Sequence, residues 1–460
     1  MKRKMLCLAA LMALAVLGAH ARGVFDHEVN FQWELSEDGD SVIITGYTGA
    51  DADIWIPPRI QGLPVTEIGD FAFSEEDMGD GFVEASRQFT SVIIPGTVTR
   101  IGQQAFRGSL LAEITIPQSV TYIALAAFCS NRLDSITISN GATHIGEWAF
   151  CCNRLTSINL GDNATFIGEG AFFDNRLTCV IIPGSVSSIG EEAFTNNRLV
   201  SLTIGEGVSV IREWAFRGNL LTSITIPDSV TSIEEEAFAR NLLINVIIGE
   251  GVTCIGPAAF AENQITSVSI GSGVIDIGEL AFAENQLTAI TIPDGVNSIG
   301  EGAFAWNQLS SVIIPDGVIS IQEGAFAENQ LTSAIIPDSV TLIDEAAFLD
   351  NRLTSIAIPN GVTVIGDGAF AINYLTSITI PDSVTHIGNA AFAMNPLSSI
   401  TIGSNVTIGE ALPYFYSDIF STSFAEFYEN LGRIAGTFLY TSGVWSVQFK
   451  GQVAGQIADN

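Results

Sequence analysis

The residues able to do chemistry in this chain recur at a fixed interval, and the interval limits what that chemistry can be. Arg132, Arg154, Arg176 and Arg198 stand 22 residues apart, and Gln264, Gln286, Gln308 and Gln330 continue the same spacing. Guanidinium groups brought into one column repel one another, so they call for an anionic ligand or for acidic neighbours, the simpler arrangement. Asp294, Asp316 and Asp338 share the interval, a pattern open to a weak calcium rail. Cys129 and Cys151 fall on equivalent positions of adjacent intervals. Stacking would bring their backbones about 5 Å apart, which fits either a disulfide or two buried thiols acting as small apolar residues. Trp148, Trp214 and Trp306 are candidate interface anchors where they reach solvent.

No catalytic constellation accompanies these columns. His27, His144 and His386 lie in the cap and in distant repeats, so none is expected to form a triad with a local serine and carboxylate. No His/Cys pair has zinc spacing, and no glycine-rich phosphate loop opens a helix. Two carboxylates suited to glycoside cleavage cannot be singled out among 50 acidic residues. The expectation is a protein without catalytic residues, metal or cofactor.

The elements that position these columns are spelled by the same interval. Fourteen phenylalanines from Phe106 to Phe392 keep the 22-residue spacing without a break. Such a period marks stacked units, each too small to bury its own apolar face. Within a unit, Leu331 is followed by Ala334-x-Ile336-Pro337, then Val340, Ile343 and Ala347-Phe348. The alternating pair reads as a short strand ended by proline, Val-x-x-Ile as a turn with a second extended segment, and Ala-Phe as a tight corner. Sixteen such strands stacked in parallel at about 4.8 Å imply a body on the order of 70 Å long.

Three residues after each phenylalanine stands Asn131, Asn153, Asn175, Asn197, Asn219, Asn241, Asn263, Asn285, Asn307, Asn329, Asn351, Asn373 or Asn395, with Ser109 the exception. An amide in every rung is expected to be a structural ladder that satisfies backbone groups buried by the corner.

Residues 1–21 read as a signal peptide: Lys2, Arg3 and Lys4, the apolar run Leu6 to Leu17, then Ala19-His20-Ala21. Removing those three cations from −32 leaves about −35. So acidic a surface argues against nucleic acid or anionic membrane as partner, and no later stretch is long and apolar enough to span a bilayer. Residues 22–52 read as an N-terminal hairpin cap, built on Phe31-x-Trp33-x-Leu35 and Val42-x-Ile44. The solenoid is expected over 53–408, with an acidic insertion near 74–88, and a C-terminal cap of helix plus hairpin over 409–460. In that cap Ser423-Phe424-Ala425-Glu426 reads as a capping box and Gly432 as a helix stop.

Outward strand positions are serine, threonine and isoleucine, as in Ser223-Ile224-Thr225-Ile226, Ser311-Val312-Ile313-Ile314 and Ser377-Ile378-Thr379-Ile380. Thr225, Ile313 and Thr379 thus represent a flat, uncharged face that either receives a protein partner or merely suits strands.

With these landmarks in place the chain resembles the BspA-like leucine-rich-repeat family of bacterial secreted and surface proteins. The resemblance rests on Leu-x-x-Ile-x-Ile-Pro-x-x-Val-x-x-Ile-x-x-x-Ala-Phe, as in Leu221 to Phe238. It departs by carrying asparagine where the family often has cysteine after Ala-Phe, and by its 22-residue rather than 23-residue unit. The resemblance implies a right-handed, mainly β leucine-rich-repeat solenoid that binds extracellular or cell-surface proteins without catalysis, as in adhesion to matrix or cells. The alternatives are a structural spacer or surface-layer component and, third, a polysaccharide-acting β-helix enzyme.

Overall fold

Each turn of the chain is bonded to the next along three backbone rows. The computed structural model describes residues 25–74, 89–138, 140–409 and 423–448. The expected signal peptide and nearly all of the acidic insertion lie outside these residues.

The first row consists of the strands that precede proline in most units and glycine in several others. Ser223–Ile226 runs parallel to Asn245–Ile248, with Ile224 opposite Val246 and Ile226 opposite Ile248. Alternation buries Ile224 and Ile226 and leaves Thr225 in solvent. The second row consists of two-residue strands such as Ser232–Ile233 and Cys254–Ile255, paired through Ile233 and Ile255. The third row is the Ala-Phe corner, where Phe238 N–H donates to the Ala259 carbonyl at 2.8 Å and Arg240 N–H to Ala261 at 3.1 Å. The result is a parallel solenoid of about sixteen turns.

The longest unbroken ladder is not the one that the sequence pattern favours. First-row strands fall into sheets of five, two, three, two and four strands, the last including the C-terminal hairpin, whereas the second row runs through one sheet of fourteen, the N-terminal hairpin included, and another of five. Proline, with no N–H to donate to the ladder, follows most first-row strands, while others such as Asn245–Ile248 end at glycine. The second-row strand is commonly followed by glycine, which admits the neighbouring rung at close range. A Cβ on Gly190 would stand 2.5 Å from the Gly168 carbonyl carbon.

The core is the phenylalanine column. From Phe106 to Phe392 successive rings lie 5.2–5.6 Å apart with planes within 3–14°. Parallel planes at that centroid distance are offset stacks, the favourable arrangement for aromatic pairs. Phe73 extends the column backwards, 4.8 Å from Phe106.

The corner that delivers each ring inward needs left-handed backbone two residues before and two residues after it. Glu236 and Arg240 flank Phe238 at φ 47° and 57°, and Leu280 and Glu284 flank Phe282 at 54° each. Gly108 and Gly218 occupy the later position in two rungs at φ 69° and 67°. A side chain costs roughly 1–2 kcal/mol there, partly offset by the entropy glycine loses on folding. Glu284→Gly and Glu328→Gly, both exposed and left-handed in backbone, are therefore expected to stabilise by about 0.5–1 kcal/mol each. Urea unfolding midpoints check this, and a loss of stability would refute the strain argument.

The two ends engage different rows. Val42–Tyr47 pairs antiparallel with Phe31–Leu35 and parallel with Leu63–Ile68 of the second row. A register shift between Gln32 and Trp33 breaks the expected alternation, so Phe31 is buried while Leu35 is 51% exposed. At the other end Gly436–Thr441 pairs antiparallel with Ser399–Ile402 of the first row, and Val444–Gln448 completes that hairpin. The helix is Ala425–Asn430, with Phe424 at its N-cap and no side-chain cap. The expected capping box is absent because Ser423 Oγ instead accepts the Trp445 indole N–H at 3.0 Å. Gly432 follows the helix at φ 73°. Tyr428 is fully buried and donates its hydroxyl to the Gly403 carbonyl at 2.6 Å.

Candidate functional site

The first row presents its outward residues as one column along the body. Thr225, Ile313 and Thr379 are all exposed on it, and Ile93, Ile181, Ile247, Ile313 and Ile335 are 44–66% exposed. No position of this column from Ile93 to Thr401 carries a charge, in a chain with 50 acidic and 18 basic residues. The face arises because the strand's alternation sends the partner isoleucines inward. It offers β-branched surface and threonine hydroxyls, and nothing for acid–base or nucleophilic work.

Beside this face, the loop leaving each corner holds the asparagines and arginines. The asparagines are buried, and their amides are fully engaged. Asn285 Nδ2 donates to the carbonyls of Phe260, Phe282 and Ala283 at 2.9, 3.1 and 3.1 Å, while its Oδ1 accepts the Ile265 N–H at 2.9 Å. The same set recurs from Asn131 to Asn395, with two amide protons shared among three carbonyls. No N–H of these amides is left for a ligand. Ser109 interrupts the series, and its buried hydroxyl has no partner among the described residues.

Arg132, Arg154, Arg176 and Arg198 follow the asparagines directly and are exposed. Contrary to expectation, no carboxylate pairs with any of them among the described residues. The reason lies in the flanking column: Ser130, Cys152, Asp174 and Asn196 include one acid only. Arg100, Arg217, Arg240 and Arg433, by contrast, pair with Glu67, Glu236, Glu262 and Glu429. Where acids do stack, they repel: Glu301, then burial and Glu345, push the Glu323 carboxyl above its usual range.

The tryptophans do not assemble into an anchor. Trp148 and Trp214 stand before their phenylalanines and are half-buried, whereas Trp306 stands after its own and is 45% exposed. The Trp148 ring packs against Phe173 at 5.5 Å and lies across Gly170 one rung on. Cys129 and Cys151 are free, with the Cys151 thiol facing the Cys129 sulfur at 2.7 Å. That contact pulls Cys129 below and pushes Cys151 above the ordinary thiol range, since one sulfur accepts what the other donates. Asp294, Asp316 and Asp338 are exposed, and among the described residues they form no group of three or more metal-ligating side chains.

One column escaped the sequence reading. Arg100 lies 4.5 Å from the Tyr122 ring centroid, Tyr122 stacks on His144 at 4.3 Å, and His144 on Phe166 at 4.4 Å. All four stand on second-row strands. Burial in this stack, then the charge of Arg100, hold His144 below the usual imidazole value. The signal was the same 22-residue spacing, hidden because the residue type changes from rung to rung.

A parallel solenoid with a phenylalanine core and an asparagine ladder defines a leucine-rich-repeat protein. The description "BspA type leucine rich repeat region (6 copies)" matches residues 66–200, 187–308 and 297–424, and the chain belongs to this family. A leucine-rich repeat protein from Bacteroides ovatus shares the fold at 22% identity, with a TM-score of 0.50 over 85% of this chain and 91% of that one. A leucine rich cell surface protein from Faecalibacterium prausnitzii is 26% identical over 86% of this chain and 91% of that one, with a TM-score of 0.37. The pneumococcal vaccine antigen PcpA is 19% identical over 84% of this chain and 98% of that one, with a TM-score of 0.46. A search of curated proteins finds no match. Among the described residues no helix is long and apolar enough to cross a membrane.

Proposed function

We propose that this is a non-catalytic secreted or cell-surface protein that binds extracellular macromolecules, chiefly proteins, through the outward face of its first row. The observation that carries the reading is the charge-free column from Ile93 to Thr401, with its exposed isoleucines, on a chain of net charge −32. Charged residues are depleted at the centres of protein interfaces, and a repeated apolar contact gains avidity along a rigid body. The basic, apolar and small-residue pattern of residues 1–21 supports export.

The test is saturable binding of the chain to matrix proteins and intact cells, with and without Ile313→Asp and Ile335→Asp. These residues are 64% and 59% exposed, so the variants are expected to fold. The pair is expected to weaken binding about tenfold or more, because each truncates an apolar anchor and places a charge at the contact. Absence of saturable binding, or binding indifferent to both substitutions, would favour a structural spacer.

A further inference from the structure

Arg132, Arg154, Arg176 and Arg198 put four exposed cations on consecutive rungs. Their backbone N–H groups donate to Leu111, Leu133, Leu155 and Leu177 one rung back at 2.9–3.0 Å, so the ladder fixes their spacing. Several other arginines meet carboxylates: Arg100 and Glu67 at 3.0 Å, Arg240 and Glu262 at 2.9 Å, Arg433 and Glu429 at 2.7 Å. On a chain with 50 acidic residues, four successive arginines unpaired among the described residues form a local reversal of surface charge. Like charges held one rung apart repel, and anions seated along the column remove that repulsion.

We propose that this column binds a linear polyanionic glycan through its sulfate and carboxylate groups, each gripped by a planar guanidinium fork. An acidic polypeptide suits it less. An extended strand presents same-side groups about every 6.6 Å, out of step with rungs about 4.8 Å apart. A densely sulfated sugar carries anionic groups at several positions of each ring and needs no such match. The site is separate from the first-row face, so either reading can fail alone.

Heparin tests the proposal, because the column itself supplies a benign substitution: Gln264, Gln286, Gln308 and Gln330 occupy equivalent positions. The full chain is expected to bind heparin saturably at low salt, with affinity falling as salt rises. The quadruple variant R132Q/R154Q/R176Q/R198Q is expected to lose about tenfold or more, with its thermal unfolding unchanged. Arg352→Gln, an isolated arginine of the same column, is expected to bind as the parent does, and desulfated heparin to bind weakly. The proposal is overturned if the parent chain does not bind heparin or if the quadruple variant binds equally well. Poly-glutamate of matched charge competing as strongly as heparin would overturn the choice of a glycan.

Discussion

Phe260→Ala is expected to lower stability by about 4–8 kcal/mol, as large a loss as any single side chain of the array gives. The ring is fully buried and stacks on Phe238 and Phe282, at 5.4 Å on both sides and with planes within 3° and 5°. Truncation removes its transfer energy and leaves a cavity, together about 3–5 kcal/mol, and deletes two offset stacks of about 0.5–1.5 kcal/mol each. The loss falls on both interfaces of one rung. A repeat array is held by nearest-neighbour contacts, so weakening one interior rung lets the flanking segments unfold separately.

Trp214 and Trp306 stand before and after Phe260 and report on the two segments. Urea unfolding of Phe260→Ala, followed at each tryptophan in single-tryptophan backgrounds, is expected to give two midpoints where the parent gives one. Phe260→Leu keeps most of the volume and is expected to cost less, about 1–2 kcal/mol. A loss below about 1 kcal/mol for the alanine variant would mean that the column is not what holds the rungs together.

The columns were legible because they depend on spacing alone. Once a 22-residue interval brings Phe238, Phe260 and Phe282 into line, burial follows from the need to shield each ring, whatever the details of the turn. The division of labour between the rows was not legible. Ser-Ile-Thr-Ile spells a strand more clearly than Ser232–Ile233, yet the two-residue segments carry the longest ladder. Their continuity depends on how closely neighbouring backbones approach, and a β-propensity pattern does not contain that distance. The surroundings of the arginines were hidden for a related reason. Spacing placed Arg132 to Arg198 in one column, but whether a carboxylate meets them depends on the direction of side chains from other columns. Ser423 was misread because a capping signature is local, whereas its actual partner, Trp445, arrives from a hairpin 22 residues away.

Asn285→Ala is expected to cost about 2–4 kcal/mol, a figure that follows from which backbone groups lose their only partner. The carbonyls do not. Phe260 also receives Asn263 Nδ2 at 3.1 Å, Phe282 receives Asn307 Nδ2 at 2.9 Å, and Ala283 receives the Glu262 N–H at 3.1 Å. The Ile265 N–H has only Asn285 Oδ1, at 2.9 Å, and is left buried and unpaired. That orphaned donor accounts for about 1–3 kcal/mol, and the lost volume and shared bonds for the rest. Asn285→Asp separates the two ends of the amide. One carboxylate oxygen still accepts from Ile265, but the other faces three carbonyl oxygens where an N–H donor stood. A charge buried against acceptors disfavours ionisation, so the folded-state pKa of Asp at 285 rises above the unfolded value of about 3.9. The sign follows from linkage: the protonated carboxyl can donate to a carbonyl, so the variant is most stable relative to the parent below the unfolded value. It loses ground as pH rises through the folded value, and is expected to fall at least as far as Asn285→Ala at neutral pH. Urea midpoints of parent, alanine and aspartate chains at acid and neutral pH measure this. A pH-independent gap between the parent and Asn285→Asp would mean that the amide nitrogen is not donating to the carbonyls it faces.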